Sequence, residues 1–290
     1  LYPARFAWRK TKGKEGWMSG NFVETSHGRI AYAESGGQGP AVLMVHGNSS
    51  AKEIFARQFD SELGAKYRLI AMDLPGHGES ENARDPSQTY SIHGFADAAM
   101  EFLDNLGVGK AVIIGWSLGG HIALEMMARW PGAQGAWITG TPPTGASAED
   151  MMAAFLPSDE MGFTFKPEFT PDEARQQAHN GIGTHMPLED WMVAAAIRAD
   201  GRFRPMMMES AVAGLDMDEK EIVATSPLPL AVVTGEKEPF VNNEYLVGLT
   251  YRNLWEGKVH VLAGLGHTPF WEAPEIINPM IGRFLGEVTG

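Results

Sequence analysis

The stretch Ala111-Val112-Ile113-Ile114-Gly115-Trp116-Ser117-Leu118-Gly119-Gly120-His121-Ile122-Ala123-Leu124 decides how the rest of the chain is read. It opens on a short apolar, β-branched run, as a buried strand requires. It closes on residues with the apolar spacing of a helix. Between the two, Gly115-Trp116-Ser117-Leu118-Gly119 fits the pattern G-x-S-x-G. In that strand-to-helix setting the glycines admit a sharp, strained turn without a Cβ clash. The serine oxygen then projects beyond the end of the sheet.

A serine hydroxyl is a weak nucleophile until a base takes its proton. His267 is expected to be that base, because Gly266-His267 follows the strand-like run 258–262. A carboxylate must then hold the imidazole tautomer and stabilise the imidazolium. The loop Gly235-Glu236-Lys237-Glu238-Pro239-Phe240 follows the run 230–234 and carries two; Glu238 is the choice and Glu236 the alternative. The earlier loop Gly140-Thr141-Pro142-Pro143 offers none. Serine, acid, histidine is the chain order that accompanies this type of nucleophile turn. Charge developing on an attacked carbonyl needs preorganised N–H donors. One is expected from Leu118 and the other from Asn48, in the loop His46-Gly47-Asn48-Ser49-Ser50 that follows Ala41–Val45. The Asn48 side chain is a further expected substrate contact, and Trp116 and Phe270 are expected along the pocket wall.

Working outward, short strand-like runs alternate with helical patterns, as a mostly parallel sheet with crossover helices requires. A hairpin over 22–34 and the runs Ala41–Val45, Arg68–Met72, 111–115, 136–139, 230–234 and 258–262 predict eight strands. Helices are expected near 52–63, 91–106, 118–130, 241–251 and 275–285. Between Pro142 and Pro227 the alternation breaks into Pro-punctuated amphipathic segments. This predicts a helical lid over 142–225, inserted into a core formed by 21–141 and 226–290. Nine of the sixteen methionines fall in that stretch. Flexible thioethers either fill gaps between helices or form an adaptable apolar wall. Met151 and Phe155 are the lid residues expected to meet substrate.

Composition narrows the function. A formal charge of −13 excludes a duplex nucleic-acid binder, which needs a basic face. The absence of cysteine excludes disulfides, thiol catalysis and cysteine-ligated metals, and fits a cytoplasmic enzyme. No apolar run is long enough to span a membrane. No H-E-x-x-H or clustered His/Asp motif points to a metal, and Gly76-His77-Gly78 is too short for a dinucleotide fingerprint, so no cofactor is expected. Residues 1–20 are read as a poorly ordered extension; basic side chains lie among Phe6, Trp8 and Trp17, with no apolar run behind them to make a signal peptide. The other polar candidates have structural readings: His46 braces its loop, His77 lies in a turn, His27 in a hairpin, and Asp73 ends a strand. His121 is read as a helix-packing residue within reach of the pocket.

These motifs together resemble an α/β-hydrolase type of N-acyl-homoserine lactonase, the quorum-quenching enzymes that open the lactone ring. Glu24-Thr25-Ser26-His27-Gly28-Arg29-Ile30-Ala31, His46-Gly47-Asn48-Ser49-Ser50, Asp73-Leu74-Pro75-Gly76-His77-Gly78 and Gly115 to His121 carry the likeness. So do Ile138-Thr139-Gly140-Thr141-Pro142-Pro143, Asn253-Leu254-Trp255-Glu256-Gly257-Lys258 and Gly266-His267-Thr268-Pro269-Phe270. The resemblance spans about 24–143 and 229–285. It implies the α/β-hydrolase fold, a glutamate as triad acid (matching Glu238), and a small acyl lactone or ester as substrate. The lid departs from the family pattern, so the resemblance leaves acyl-chain preference open. Other functions for the same triad are a general carboxylesterase, a carbon–carbon bond hydrolase and a cofactor-free dioxygenase. A ligand receptor that has lost turnover is the reading from another class.

Overall fold

The computed structural model describes residues 20–183 and 185–290. The extension expected at the N-terminus lies, apart from Gly20, outside the described residues. Eight strands form one sheet: β1 (Asn21–Thr25), β2 (Gly28–Glu34), β3 (Ala41–Val45), β4 (Arg68–Met72), β5 (Ala111–Trp116), β6 (Ala133–Thr139), β7 (Leu230–Gly235) and β8 (His260–Leu262). Their order is β1-β2-β4-β3-β5-β6-β7-β8. The hairpin β1–β2 joins β4 antiparallel, and every pairing from β4 to β8 is parallel.

Strands β5 and β7 are buried along their whole length, and β3 and β4 are buried beyond their first residues. That is why they read as continuous apolar runs. Alternating side chains feed two cores, as a period of two requires. Leu43, Val45 and Ile113 pack with Phe95, Phe102 and Ile122 on one face. Val42, Met44, Val112 and Ile114 pack with Phe55, Phe59, Trp271 and Phe284 on the other.

The winding reverses between β3 and β5, which are direct neighbours with Val45 opposite Gly115. Crevices form beyond the carboxyl ends of strands at such a reversal. The loop after β3 and the turn after β5 therefore lie side by side. β7 and β8 are also neighbours, with Gly235 opposite Leu262, which brings the loop carrying Glu238 beside the loop carrying His267.

The helical insertion follows β6. It contains Ala148–Ala154, a 3₁₀ segment Asp159–Phe165, Pro171–Ile182, Asp190–Arg198, Phe203–Val212 and Glu219–Thr225. Local chemistry starts these helices: Ser147 accepts the Asp150 N–H, and Thr170 with Glu173 forms a capping box ahead of Pro171. A bridge between Phe155 and Val241 ties the insertion to the loop after β7. No helix among the described residues is long and apolar enough to cross a membrane.

Three boundaries differ from expectation. The segment 52–63 is broken into Lys52–Phe55, Ala56–Phe59 and Glu62–Lys66, because Ser61 accepts the Leu63 N–H and starts a new helix. β6 begins at Ala133, since its small and polar first residues conceal a strand that pairs with β5 from Ala111. β8 begins only at His260, because Glu256 and Gly257 both take positive φ, 52° and 66°, and turn the chain before it can pair.

Candidate active site

The turn after β5 has the conformation that its glycines allow. Ser117 lies at φ 53° and ψ −120°, a strained region for a residue with a Cβ. A Cβ on Gly119 would stand 2.0 Å from the Val45 carbonyl oxygen, and one on Gly120 2.0 Å from Thr141 Oγ1. Only bare backbone packs here. The Ser117 N–H donates to the Thr139 carbonyl at 2.9 Å, and Thr141 Oγ1 donates to the Ser117 carbonyl at 2.8 Å. Leu118 is the first residue of the helix Leu118–Arg129, so its N–H has no partner within that helix.

Beside this turn, the His267 ring lies with Nδ1 2.8 Å from both carboxylate oxygens of Glu238. Both side chains are buried. Glu238 Oε1 also accepts the Phe240 N–H at 3.0 Å, which aims the carboxylate. The His267 carbonyl accepts the Trp116 indole N–H at 3.0 Å, and the Phe240 ring stands edge-on at 5.0 Å. Gly140, at φ 62°, leaves the space the ring occupies; a Cβ there would lie 2.6 Å from His267 Cε1. Glu236, the alternative acid, points elsewhere: it is exposed and accepts the Gly264 N–H at 2.9 Å.

Ser117 and His267 both line a cleft of about 800 Å³, its open mouth included. Asn48 lines it too, on a loop whose Gly47 is so close that a Cβ there would stand 3.0 Å from Ser117 Cβ. The Asn48 side chain is already engaged: Nδ2 donates to the Thr164 carbonyl at 3.1 Å, and Oδ1 accepts from Ser49 Oγ at 2.5 Å. Ser49, at φ 58°, is in turn held by Arg204, whose Nε and Nη2 donate to its Oγ at 3.1 and 2.7 Å. Arg204 is 1% exposed and comes from the insertion. Burial lowers its guanidinium pKa to about 10.

Of the expected wall residues, Trp116 and Phe155 line the cleft. Met151 and Phe270 do not. Phe270 is buried beneath Trp116, with ring centres 5.8 Å apart, and Met151 is on a helical turn that does not reach the cleft. Met161 lines it as well, and sequence reading missed Gln177, Ala178, Ile182, Met192 and Phe240. The signal for some of these was available: Ala174, Ala178 and Ile182 recur at helical spacing along Pro171–Ile182. Asp73 accepts from the Lys52 and Glu79 N–H groups and from Lys52 Nζ, a structural cluster apart from the cleft. His46 accepts the Leu74 N–H on Nε2 and donates from Nδ1 to the Gly47 carbonyl, which braces its loop. Among the described residues, no three His, Cys, Asp or Glu side chains are grouped to hold a metal ion.

A strained, glycine-flanked serine turn at the end of a central strand, a late histidine on a buried glutamate and an inserted helical segment define a class. The chain belongs to the α/β-hydrolase family, whose model matches residues 42–279. More particularly, it is similar to N-acyl homoserine lactonase AidH. The structure of that enzyme complexed with N-butanoyl homoserine is 43% identical, with a TM-score of 0.90, over 94% of this chain and 98% of that one. A mutant of the same lactonase, complexed with N-hexanoyl homoserine lactone, matches at 43% identity and TM-score 0.90, over 94% and 99%. A more distant relative is a 2-hydroxy-6-oxononadienedioate/2-hydroxy-6-oxononatrienedioate hydrolase of Burkholderia vietnamiensis, 24% identical over 89% of this chain and 91% of that protein.

Proposed function

We propose that this protein opens the lactone ring of N-acyl-homoserine lactones as a serine hydrolase, through an acyl-enzyme on Ser117 and without a metal ion. The observation that carries the reading is the 43% identity to a lactonase of that specificity across almost the whole of both chains. The site chemistry supports it. His267, with its Nδ1 proton directed at Glu238, has Nε2 available to take the Ser117 proton. Ser117 Oγ then attacks the ring carbonyl, and the N–H groups of Leu118 and Asn48 receive the developing oxyanion.

Collapse of the tetrahedral intermediate breaks the ring C–O bond, and His267 returns its proton to the leaving alkoxide. That alcohol stays tethered to the acyl group, so it competes with water for the acyl-enzyme. Water activated by His267 must win for the ring-opened acid to leave. Within this reading the helical insertion acts as a lid over the acyl chain, with Phe155, Met161 and Met192 as its apolar contacts.

Mass spectrometry of the product tests the proposal. The expected product is the acyl-homoserine, heavier than substrate by one water, formed at a rate that survives dialysis against a strong chelator. Release of homoserine lactone and free fatty acid would overturn the ring-opening reading. Activity lost to the chelator and restored by zinc or manganese would overturn the metal-independent mechanism. Cleavage of a vinylogous diketone with no turnover of lactones would instead favour the carbon–carbon hydrolase chemistry of the more distant relative.

A further inference from the structure

Four residues beyond Ser117, His121 also lines the cleft. Its Nδ1 is 2.8 and 2.9 Å from the two carboxylate oxygens of Glu219, a residue 98 positions away at the start of the last helix of the insertion. Glu219 is 2% exposed. Its Oε2 accepts the Thr144 N–H at 2.9 Å, and its own N–H donates to the Thr144 carbonyl at 2.9 Å. The residue is therefore held through both its backbone and its carboxylate. This second histidine–glutamate pair repeats the arrangement of His267 on Glu238, yet the triad makes no use of it.

The pairing sets what His121 offers to a ligand. A carboxylate on Nδ1 keeps the proton there and leaves the lone pair of the neutral ring on Nε2. The other polar side chains on the wall are hydroxyls, amides and the triad histidine. Ser117 and His121 line the same cleft. A group carried on the carbon next to the carbonyl that Ser117 would attack therefore shares that cleft with His121.

We propose that His121 Nε2 accepts a hydrogen bond from an N–H group on that adjacent carbon, so that the site selects α-acylamino lactones and esters. The inference rests on the lactonase reading for the ring, but the acceptor is equally present for an open-chain ester. Replacing the N–H by oxygen sets two acceptors against each other, and a buried acceptor deprived of its donor discriminates strongly.

The test measures kcat/KM on two matched pairs. One pair is N-hexanoyl homoserine lactone and the lactone with hexanoyloxy in place of hexanoylamino. The other is the p-nitrophenyl esters of N-acetylglycine and of O-acetylglycolic acid. The unmodified protein is expected to prefer the N–H member of each pair by about tenfold or more. Glu219→Gln still accepts the Thr144 N–H, but presents an amide N–H to Nδ1 and so moves the ring proton to Nε2. It is expected to reduce the preference to within about threefold. The double variant His121→Phe with Glu219→Leu removes the pair without stranding a buried carboxylate, and is expected to lose the same preference. A preference that persists in both variants, or is absent from the unmodified protein, overturns the assignment. Discrimination of the open-chain esters without opening of either lactone would sink the lactonase reading and leave the acceptor standing. Lactones opened with no preference would do the reverse.

Discussion

Glu236 and Glu238 share one loop, and strict alternation along an extended chain would aim both the same way. A turn separates them. The Glu238 N–H approaches the Gly235 carbonyl at 3.3 Å, while the Lys237 N–H donates to Leu265 at 2.8 Å. The bend leaves Glu236 in solvent and brings Glu238 under the His267 ring. Glu238→Gln keeps the shape but removes the compensating charge and presents a donor to Nδ1. Initial rates on a lactone are expected to fall by at least roughly 10², since the corresponding change in a serine protease costs about 10⁴ in kcat. Glu236→Gln is expected to stay within about threefold, as for other solvated surface changes. A crippled Glu236 variant beside a healthy Glu238 variant would reverse the assignment.

At the scale of elements, the insertion is joined to the sheet layer by apolar packing, with Phe203, Ile222 and Val223 in the core beside Leu43 and Phe95, and by polar contacts. Arg204 is one of them: it holds Ser49 on the loop after β3 and, within the insertion, donates from Nη1 to the Lys166 and Pro167 carbonyls at 3.0 and 3.1 Å. Its guanidinium also stacks 4.0 Å from the Phe169 ring centre. Arg204→Met would leave those acceptors buried and unpaired, at a cost on the order of 2–4 kcal/mol. Denaturant unfolding should show that loss. An unchanged midpoint would mean that water replaces the guanidinium. The walls of the cleft allow a second comparison. Met161→Ala and Met192→Ala should change the ratio of kcat/KM between long and short acyl chains by about tenfold. Met151→Ala, away from the cleft, should leave that ratio within about twofold. Equal effects of all three on every substrate would indicate general loosening of the insertion.

Across the whole molecule, two fully buried histidines make stability depend on pH. His46, at the start of the loop after β3, and His77 lie with ring centres 5.1 Å apart. Burial holds the His46 ring below its ordinary pKa and the His77 ring well below. Among the described residues His77 Nε2 is buried without a partner, and His46 Nε2 accepts a backbone N–H, so protonation of either ring in place is disfavoured. Below about pH 6.5 the unfolded chain binds more protons at both rings than the folded protein does, and stability falls as pH falls. Glu53, its carboxyl pushed up to about 7 by burial, opposes this by one proton between about pH 7 and 4.3. His77, held well below its ordinary value, contributes a loss of about 1.4 kcal/mol per pH unit below that point, and His46 adds to it in the same direction. His77→Phe, among Phe95 and Phe203, should flatten urea-derived stability between pH 6 and 5 by about that amount. A slope that the substitution does not change would place the linked protons elsewhere.

What the sequence by itself determined is what depends on near neighbours. The eight strands and the strained serine between glycines follow from periodicity and turn chemistry within a few residues of each position. The helical character of 142–225 was legible for the same reason. Side-chain partners were not. Phe270 matched a motif but is buried under Trp116, and His121, read as packing, meets a carboxylate 98 residues away. Arg204 reaches Ser49 across 155 positions, and only the folded chain makes them neighbours. A helical pattern says which residues share a face; it does not say what that face meets. The depth of a carboxylate, the partner of an imidazole and the lining of a cleft are set by how elements distant in sequence pack, and the tertiary structure decided them.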